Sequence, residues 1–458
     1  MLTSKRSRRG FLKMVALGAG GAALAACAPK AVQPQVVKET VIIAGTPQVV
    51  EKTITVTPAP AEVVKVVMTN MDPIDLQEGY ELVTKAFNEK YAGRIVMENK
   101  NVPGEGWTQK LMASIAANDG PDMWMDFPKP VDYPKYGFVQ NLTPFIERDG
   151  VNREELWFES AWKNDLWHGQ QYCAPRSVHP SAFAYNKEIL DAAGVPYPTN
   201  DWTTEDFVNL HARTRDKDKG IYASAIQGHG GLLWGSGGMP YSMGMEIVSV
   251  DGRRVQGLLD SPNSIEVIQF YLDLEVKYDA VASADVVQAM GPNAFASGKL
   301  ALGGAAETLP EDVRFPWGLV RAPKHKDFQQ HTWNDPAVWF MWSGATRKDE
   351  IWEMMKFVTG VEGTKIMMTS KTNFPSPCPQ VWQDLGYDKP GEPGTLHEIR
   401  HFLLTSLLEL PSIKNWMFRT TYFWKCVGPN FSGIWTQYIQ EGKRPLETLV
   451  KEAAKLSQ

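Results

Sequence analysis

The sequence predicts an α/β protein built on parallel β-sheet. Three observations carry that expectation. From Glu62 onward, short apolar runs alternate with stretches whose apolar residues fall at helical spacing, the signature of strands joined by crossover helices. The chain is 458 residues long, enough for two or three ordinary domains with their own cores. Its hydrophobic content of 43% and charged content of 22% are ordinary for a soluble globular protein.

The elements follow in order. "SRRGFLK" (Ser7–Lys13) matches the twin-arginine export pattern, paired arginines followed by Phe-Leu-Lys. Met14 to Ala26 is uncharged and rich in Gly and Ala. At ~1.5 Å per residue it falls well short of the ~30 Å hydrocarbon core, so it reads as the apolar part of a signal and not as a span. It closes on "LAAC" (Leu24–Cys27), which resembles a bacterial lipoprotein signal whose Cys becomes the acylated first residue. Residues 1–27 are therefore expected to be a twin-arginine lipoprotein signal with Cys27 lipidated; the plainer alternative is a buried helix. Two acyl signals on Cys27 would suffice for stable membrane anchoring. Residues 28–60 repeat Val-Val-Lys-Glu-Thr as Val-Val-Glu-Lys-Thr and lack aromatics. They are expected to be a flexible tether, with a short hairpin as the alternative because Val-Ile-Ile and Thr-Ile-Thr-Val are β-prone.

In the body, "VVKVVMTN" reads as a buried strand. A helix follows through Leu82, Val83, Phe87 and Tyr91, and "RIVMENKNV" is a second strand. "GWTQKLMASIAANDGPDMWMDF" predicts a helix closed by Asp119-Gly120-Pro121 and a strand at Met123–Phe127. Further helices are predicted at Thr204–Arg215 and Ser264–Tyr278, separated by the Gly-rich segment Gly228–Gly244. "AFASGKLALGGAAE" predicts a turn at Gly298 into a strand, "KDEIWEMMKFVTGVEGTKIMM" one long amphipathic region, and "PLETLVKEAAKLSQ" a closing helix. No later stretch approaches ~20 apolar residues.

Several chemistries are disfavoured. Five of the 47 basic residues lie in the first 26 positions, leaving 42 against 52 acids; a mature chain that acidic is a poor binder of nucleic acid. Beyond Cys27 the cysteines are Cys173, Cys378 and Cys426, too few and too far apart for a disulfide framework, though one bridge is possible. No Cys-x-x-Cys spacing supports a metal site, and there is no Gly-x-Ser-x-Gly or phosphate loop. "GQQYCAPRSVHPSAFAYNKEILDAAGVPYP" (Gly169–Pro198) places Cys173 and His179 close in sequence. Six extended residues span ~20 Å, so the two meet as nucleophile and base only if the chain turns between them.

The order of these motifs resembles the extracellular solute-binding proteins of ABC importers, family 1, the relatives of maltose-binding protein that mostly carry sugars. The resemblance runs through "ANDGPDMWMDF" (Ala117–Phe127), "GFVQNLTPFI" (Gly137–Ile146), the stretch from Gly169 through Tyr185-Asn186-Lys187 to "DWTTEDF", "VDGRRVQGLLDSPNSIEVIQFY", "FASGKLALGGA" and "FPWGLVRAPKH". It implies a periplasmic-binding-protein-like fold: two α/β lobes, a hinge and a central ligand cleft, each lobe discontinuous in sequence. Lobe one is expected at residues 62–178 plus 288–340, and lobe two at 179–287 plus 341–458. The cleft would lie at the carboxyl ends of strands, where open α/β sheets bind ligands.

Sixteen tryptophans, all outside the signal segment, supply aromatic faces suited to sugar rings; Trp352 and Trp317 read as core. Trp234 sits among glycines in "GHGGLLWGSGGMPYS" and resembles a family position where a Trp stacks on the sugar. Trp333-Asn334-Asp335 combines a ring with an amide and a carboxylate for hydroxyl recognition, or else forms a capped turn. Asp126 resembles a carboxylate-bearing family position at a strand end. Glu78 opens the first helix near the cleft mouth. Trp416 and Trp424, with Tyr422, form either a lobe-two stacking platform or an aromatic core. His179 lies six residues before Tyr185, an offset where maltose-binding proteins place a polar sugar contact, and Cys173 falls where the family has a small or apolar residue.

The implied function is a monomeric, lipid-anchored receptor outside the cytoplasm. It would bind a small molecule, a mono- or oligosaccharide, without cofactor or catalysis, and deliver it to the transmembrane subunits of an ABC permease. The rival reading is an exported carbohydrate-active enzyme, a glycosidase or lyase, since two carboxylates ~5–10 Å apart would suffice.

Overall fold

A computed structural model of the chain describes residues 35–43, 46–54 and 62–458, the last without 103–105, 128–131, 164–165, 236–237, 292, 304–312, 335–336, 414–418, 420–421 and 443. The expected signal and Cys27 lie outside the described residues. Within the expected tether, β1 (Gln35–Ile43) and β2 (Thr46–Ile54) pair antiparallel from Gln35↔Ile54 to Ile43↔Thr46. This corrects the flexible tether over that stretch. The two Val-Val repeats run in opposite directions across the hairpin, Lys38 faces Glu51, and the β-branched composition prevails over the linker pattern. The hairpin and residues 64–458 are separate compact units.

In the larger unit, β3 (Val64–Asn70) is followed by α1 (Gln77–Lys90), β4 (Ile95–Asn101), α2 (Trp107–Ala116) and β5 (Met123–Asp126). The helix ends and strand starts follow the sequence pattern closely. β3 is parallel to both β4 and β5, as the strand–helix alternation predicts. The sheet is not purely parallel, however. β6 (Cys173–Pro175) and β11 (Val338–Met341) complete a five-stranded order β4-β3-β5-β11-β6, with β11 antiparallel to both neighbours.

A second sheet forms around β7 (Phe183–Asn186), flanked by β8 (Leu302–Gly303) and β9 (Trp317–Val320), both antiparallel to it. Asn186 ends β7 and caps α3 (Lys187–Ala193), its Oδ1 accepting from the backbone N–H of Glu188 at 2.9 Å and Ile189 at 3.3 Å. Gly194, at φ 59°, closes that helix in the left-handed region. Thr203 and Asp206 form a capping box at the start of α4 (Thr204–Thr214). α5 (Pro262–Val276) covers the same core.

Two large hydrophobic cores result. The first gathers Val66, Met68, Phe87, Met97, Trp157, Trp339, Trp352 and Trp382; the second gathers Phe183, Phe207, Ile268, Tyr271, Phe423 and Trp435. They divide the chain differently from the expected lobes. Ala301, Leu302, Val320 and Ala322 pack in the second core, because β8 and β9 pair with β7. Residues 337–407 pack largely in the first, because β11 inserts between β5 and β6 and brings α6 (Lys348–Thr359) and α7 (Val361–Thr369) with it. The single amphipathic run expected over α6 and α7 breaks at Gly360, whose backbone is extended (φ −84°, ψ −179°). Gly363 lets the second helix tuck in: a Cβ there would lie 2.4 Å from the Phe357 carbonyl oxygen. α8 (Leu396–Glu409), α9 (Gly428–Thr436) and α10 (Leu446–Leu456) complete the chain.

Candidate functional site

Among the described residues, the chain passes between the cores three times. Val178 belongs to the first core and Phe183 to the second; Ala322 to the second and Ala337 to the first; Leu407 to the first and Phe423 to the second. The connecting segments run side by side. β10 (Thr332–Trp333) lies parallel to β12 (Ser412–Ile413), and the Thr332 N–H donates to Pro411 O at 3.1 Å. Across the first two crossings, Ser181 N donates to Thr332 Oγ1 at 3.2 Å, Trp333 N to Ser181 Oγ at 3.3 Å, and His179 N to Asn334 Oδ1 at 3.0 Å. Each bond uses a side chain of one crossing and a main-chain donor of the other. A short polar weave therefore joins two apolar bodies, which suits bending about the crossings with each body intact.

Asn334 is 1% exposed, and its amide is engaged at both ends: Oδ1 receives His179 N, and Nδ2 donates to Ser160 Oγ at 2.8 Å. It acts as a strut of the crossing. His179 is half-buried, and its Nε2 is hydrogen-bonded to Ser177 Oγ at 2.9 Å. Cys173 lies instead in an apolar cluster with Trp124, Tyr133 and Phe340. Cys173 and His179 thus serve separate ends, the Cys as packing and the His at the crossing. Trp333 is half-buried against the second core. Asp335 and Trp416 lie outside the described residues.

Asp126 ends β5 as expected but is 2% exposed. Its Oδ2 accepts from Tyr133 Oη at 2.6 Å and its Oδ1 from the Phe127 N–H at 2.8 Å. The phenol is pushed up by burial first and by that carboxylate second. Phe127, the next residue, packs against both cores and marks their junction; nothing in its spacing distinguished it. Glu78 lies on the first core's side, where its Oε2 accepts from Lys371 N at 2.7 Å, so the structure does not join it to the crossings. Trp424 is 48% exposed and stands edge-on to Phe423, which removes it from the buried core reading.

Trp234 lies on one π-helical turn, Gly231–Gly235, that follows the short helix Gly228–Gly230. Gly231 is required by close approach: a Cβ there would lie 2.4 Å from the Ile226 carbonyl carbon. Glu275 anchors this segment, accepting from Gly228 N and, at 3.1 Å, from Trp435 Nε1. Burial holds its carboxyl above the usual range.

Sequence reasoning also missed a buried charge cluster where β6 runs into the first crossing. The Arg176 guanidinium pairs with Asp72, donates to Tyr80 Oη at 2.7 Å, and lies 4.0 Å from the Phe374 ring centroid. Tyr80 in turn donates to Asp72. Burial pushes its phenol well above the usual value. Arg176 N donates to Ala337 O at 2.8 Å, linking the cluster to the returning strand. Among the described residues, no group of three or more His, Cys, Asp and Glu lies close enough to hold a metal ion, and no helix is long and apolar enough to cross a membrane.

This geometry has relatives. A family model described as bacterial extracellular solute-binding protein matches residues 74–365. Curated relatives from Brucella abortus and Brucella suis, described as binding proteins, are 21% identical over 304 residues, covering 61% of this chain and 68% of theirs. Among solved structures, an ABC substrate-binding protein of Listeria monocytogenes in complex with cycloalternan superposes with a TM-score of 0.69 at 18% identity, covering 86% of this chain and 98% of that one. A solute-binding protein of Thermotoga lettingae bound with α-D-tagatose gives 0.67 at 17% identity, over 86% and 98% of the two chains. A maltose-bound protein of T. maritima gives 0.66 at 16% identity, over 86% and 99%. At such identities the likeness is one of fold.

Proposed function

This chain belongs to the bacterial extracellular solute-binding protein family, and from that premise we propose that it captures a carbohydrate outside the cytoplasm for an ABC importer. The observation that carries the reading is the triple crossing between two separately packed cores, bound by the Ser181–Thr332–Trp333 and His179–Asn334 hydrogen bonds. A ligand touching both bodies favours the closed arrangement only by its differential contacts with the two states. Reversible capture by bending is therefore the mechanism, and no catalytic step is required. The sugars held by the solved relatives, cycloalternan, tagatose and maltose, support the ligand class.

The lobes in this reading follow the two cores: roughly residues 64–178 with 337–407, and 183–322 with 423–458. Phe127, at the junction, lines the cleft. His179, Trp234, Trp333 and Trp424 are the aromatic and polar ligand contacts, whereas Asn334 and Asp126 hold the framework beneath them. The twin-arginine signal exports the chain, Cys27 carries the lipid that keeps a monomer at the outer face of the membrane, and a permease receives the sugar.

A thermal-shift screen of the protein against mono- and oligosaccharides tests this. One saccharide should raise Tm by several degrees through mass action. Trp234→Ala and His179→Ala should each weaken its binding, about tenfold or more for the ring, given ~1.5–3 kcal/mol for burying an aromatic side chain. A panel without any shift, or affinity unchanged in both variants, contradicts the assignment.

A further inference from the structure

Resting on that reading of the site, we propose that the first two crossings each bend at a single point, Pro180 and the Trp333–Asn334 bond. His179 and Trp333 then ride on opposite bodies and close on the ligand from either side. The hydrogen bonds sort the crossing residues into two sets. In the first set, Arg176 N donates to Ala337 O at 2.8 Å, Val178 N to Pro375 O at 3.0 Å and His179 N to Asn334 Oδ1 at 3.0 Å. Asn334 Nδ2 donates to Ser160 Oγ at 2.8 Å, on a one-turn helix (Glu159–Trp162) whose Ala161 and Trp162 belong to the first core. In the second set, Ser181 N donates to Thr332 Oγ1 at 3.2 Å and Trp333 N to Ser181 Oγ at 3.3 Å. His331 N donates to Ser242 Oγ at 2.9 Å. Ser242 is buried, and its chain neighbours Tyr241 and Met243 belong to the second core. Gly238, at φ 87°, lets that core come against the same strand: a Cβ there would lie 3.1 Å from Trp333 N.

The two sets meet at one place on each crossing. On the first, His179 is tied to one body and Ser181 to the other, with Pro180 between them. On the second, the adjacent residues Trp333 and Asn334 are tied to opposite bodies. A rotation that keeps both sets intact falls on these two points, the few residues that absorb a hinge motion. Proline suits the place, because it has no N–H to bind either set and its φ is fixed near about −65°, which leaves fewer dihedrals to bend. A sugar seated on Trp333 meets His179 as the bodies turn together, and that is the differential contact closure needs. Ser181 and Asn334 are positioning residues in this scheme: each holds a ligand contact to its own body.

Double electron–electron resonance between spin labels at Lys85→Cys on α1 and Glu266→Cys on α5, both exposed positions, tests the pivot. The full chain carries Cys27→Ser and Cys426→Ser for this purpose, while Cys173 and Cys378 are buried. Without ligand, Pro180→Gly should widen the distance distribution. Pro175→Gly, inside β6, should not, although it gives the unfolded chain the same freedom. Titrations with maltose, maltotriose and D-tagatose then read the ligand's part. Pro180→Gly should weaken the sugar that binds about fivefold, the cost of fixing one freed backbone residue, and Pro175→Gly should leave its affinity unchanged. Ser181→Ala, which removes the hydroxyl that Trp333 N meets, should weaken binding as well, and Ser181→Thr should restore it. An unchanged width in Pro180→Gly, or equal widening in Pro175→Gly, overturns the pivot. Unchanged affinity in Ser181→Ala overturns the part given to Trp333. Binding of none of the three sugars counts against the proposed function and the grip by His179 and Trp333, while the ligand-free widths still decide the pivot.

Discussion

Replacing Arg176 with leucine is expected to destabilise the protein by about 3–5 kcal/mol, the cost of stranding a buried charge. The guanidinium side chain is 5% exposed and Asp72 14% exposed, so neither can turn to water in place of its partner. Losing Arg176 leaves the Asp72 carboxylate facing the Tyr80 hydroxyl alone, and removes the cation stacked on Phe374. Arg176→Lys should recover little, because one ammonium cannot hold Asp72 and Tyr80 while lying flat on a ring. Adding Asp72→Leu to Arg176→Leu should regain much of the loss, since a buried pair is worth far less than its unpaired half costs. Urea unfolding measures all three; a loss below about 1 kcal/mol for Arg176→Leu would show the pair to be solvated, as exposed ion pairs are.

The second large effect depends on pH. His211 is fully buried on α4, its Nδ1 2.9 Å from Phe207 O and its Nε2 2.9 Å from Ser224 Oγ. A carbonyl only accepts, so Nδ1 carries the proton and Nε2 receives the serine hydroxyl. Burial pushes the imidazole down from 6.5 to about 4. The unfolded chain therefore binds a proton that the folded chain refuses between those values. Stability is complete above pH 6.5, falls as pH drops toward about 4, and levels off below; the loss amounts to about 3 kcal/mol. His211→Gln keeps a donor and an acceptor but cannot titrate. Its stability relative to the parent should rise by that amount across the same window, measured by urea midpoints at pH 7 and pH 4. An unchanged difference between the two pH values would place the imidazole in contact with water.

Local features were readable because they are written in neighbouring residues. Asn186 capping α3, Gly194 closing it, and the Thr203–Asp206 box all act within four positions of the helix they bound. The strand–helix alternation from Val64 to Asp126 was legible for the same reason. Partners far away in sequence were not. β11 enters between β5 and β6 from more than 150 positions away, and an amphipathic stretch such as α6 does not announce which core its apolar face will join. The lobe division shifted on that account.

What a site residue does is harder to read than where it lies in the chain. His179 and Trp333-Asn334 do fall at the crossings, yet Asn334 is wholly used in joining them. A polar residue in a turn looks alike whether it will meet a ligand or another backbone; only burial separates the two. Arg176, Asp72 and Tyr80 each look ordinary in sequence, and their meaning arises from the fold that assembles them.

The central claim is that two bodies close over a sugar about the three crossings. Small-angle X-ray scattering of the protein, titrated with the saccharide that most raises its Tm, tests it directly. The radius of gyration should fall saturably, with a midpoint matching the affinity, and the saccharide should be recovered intact. Saturating binding with an unchanged scattering profile, or conversion of the sugar during the titration, would contradict the account.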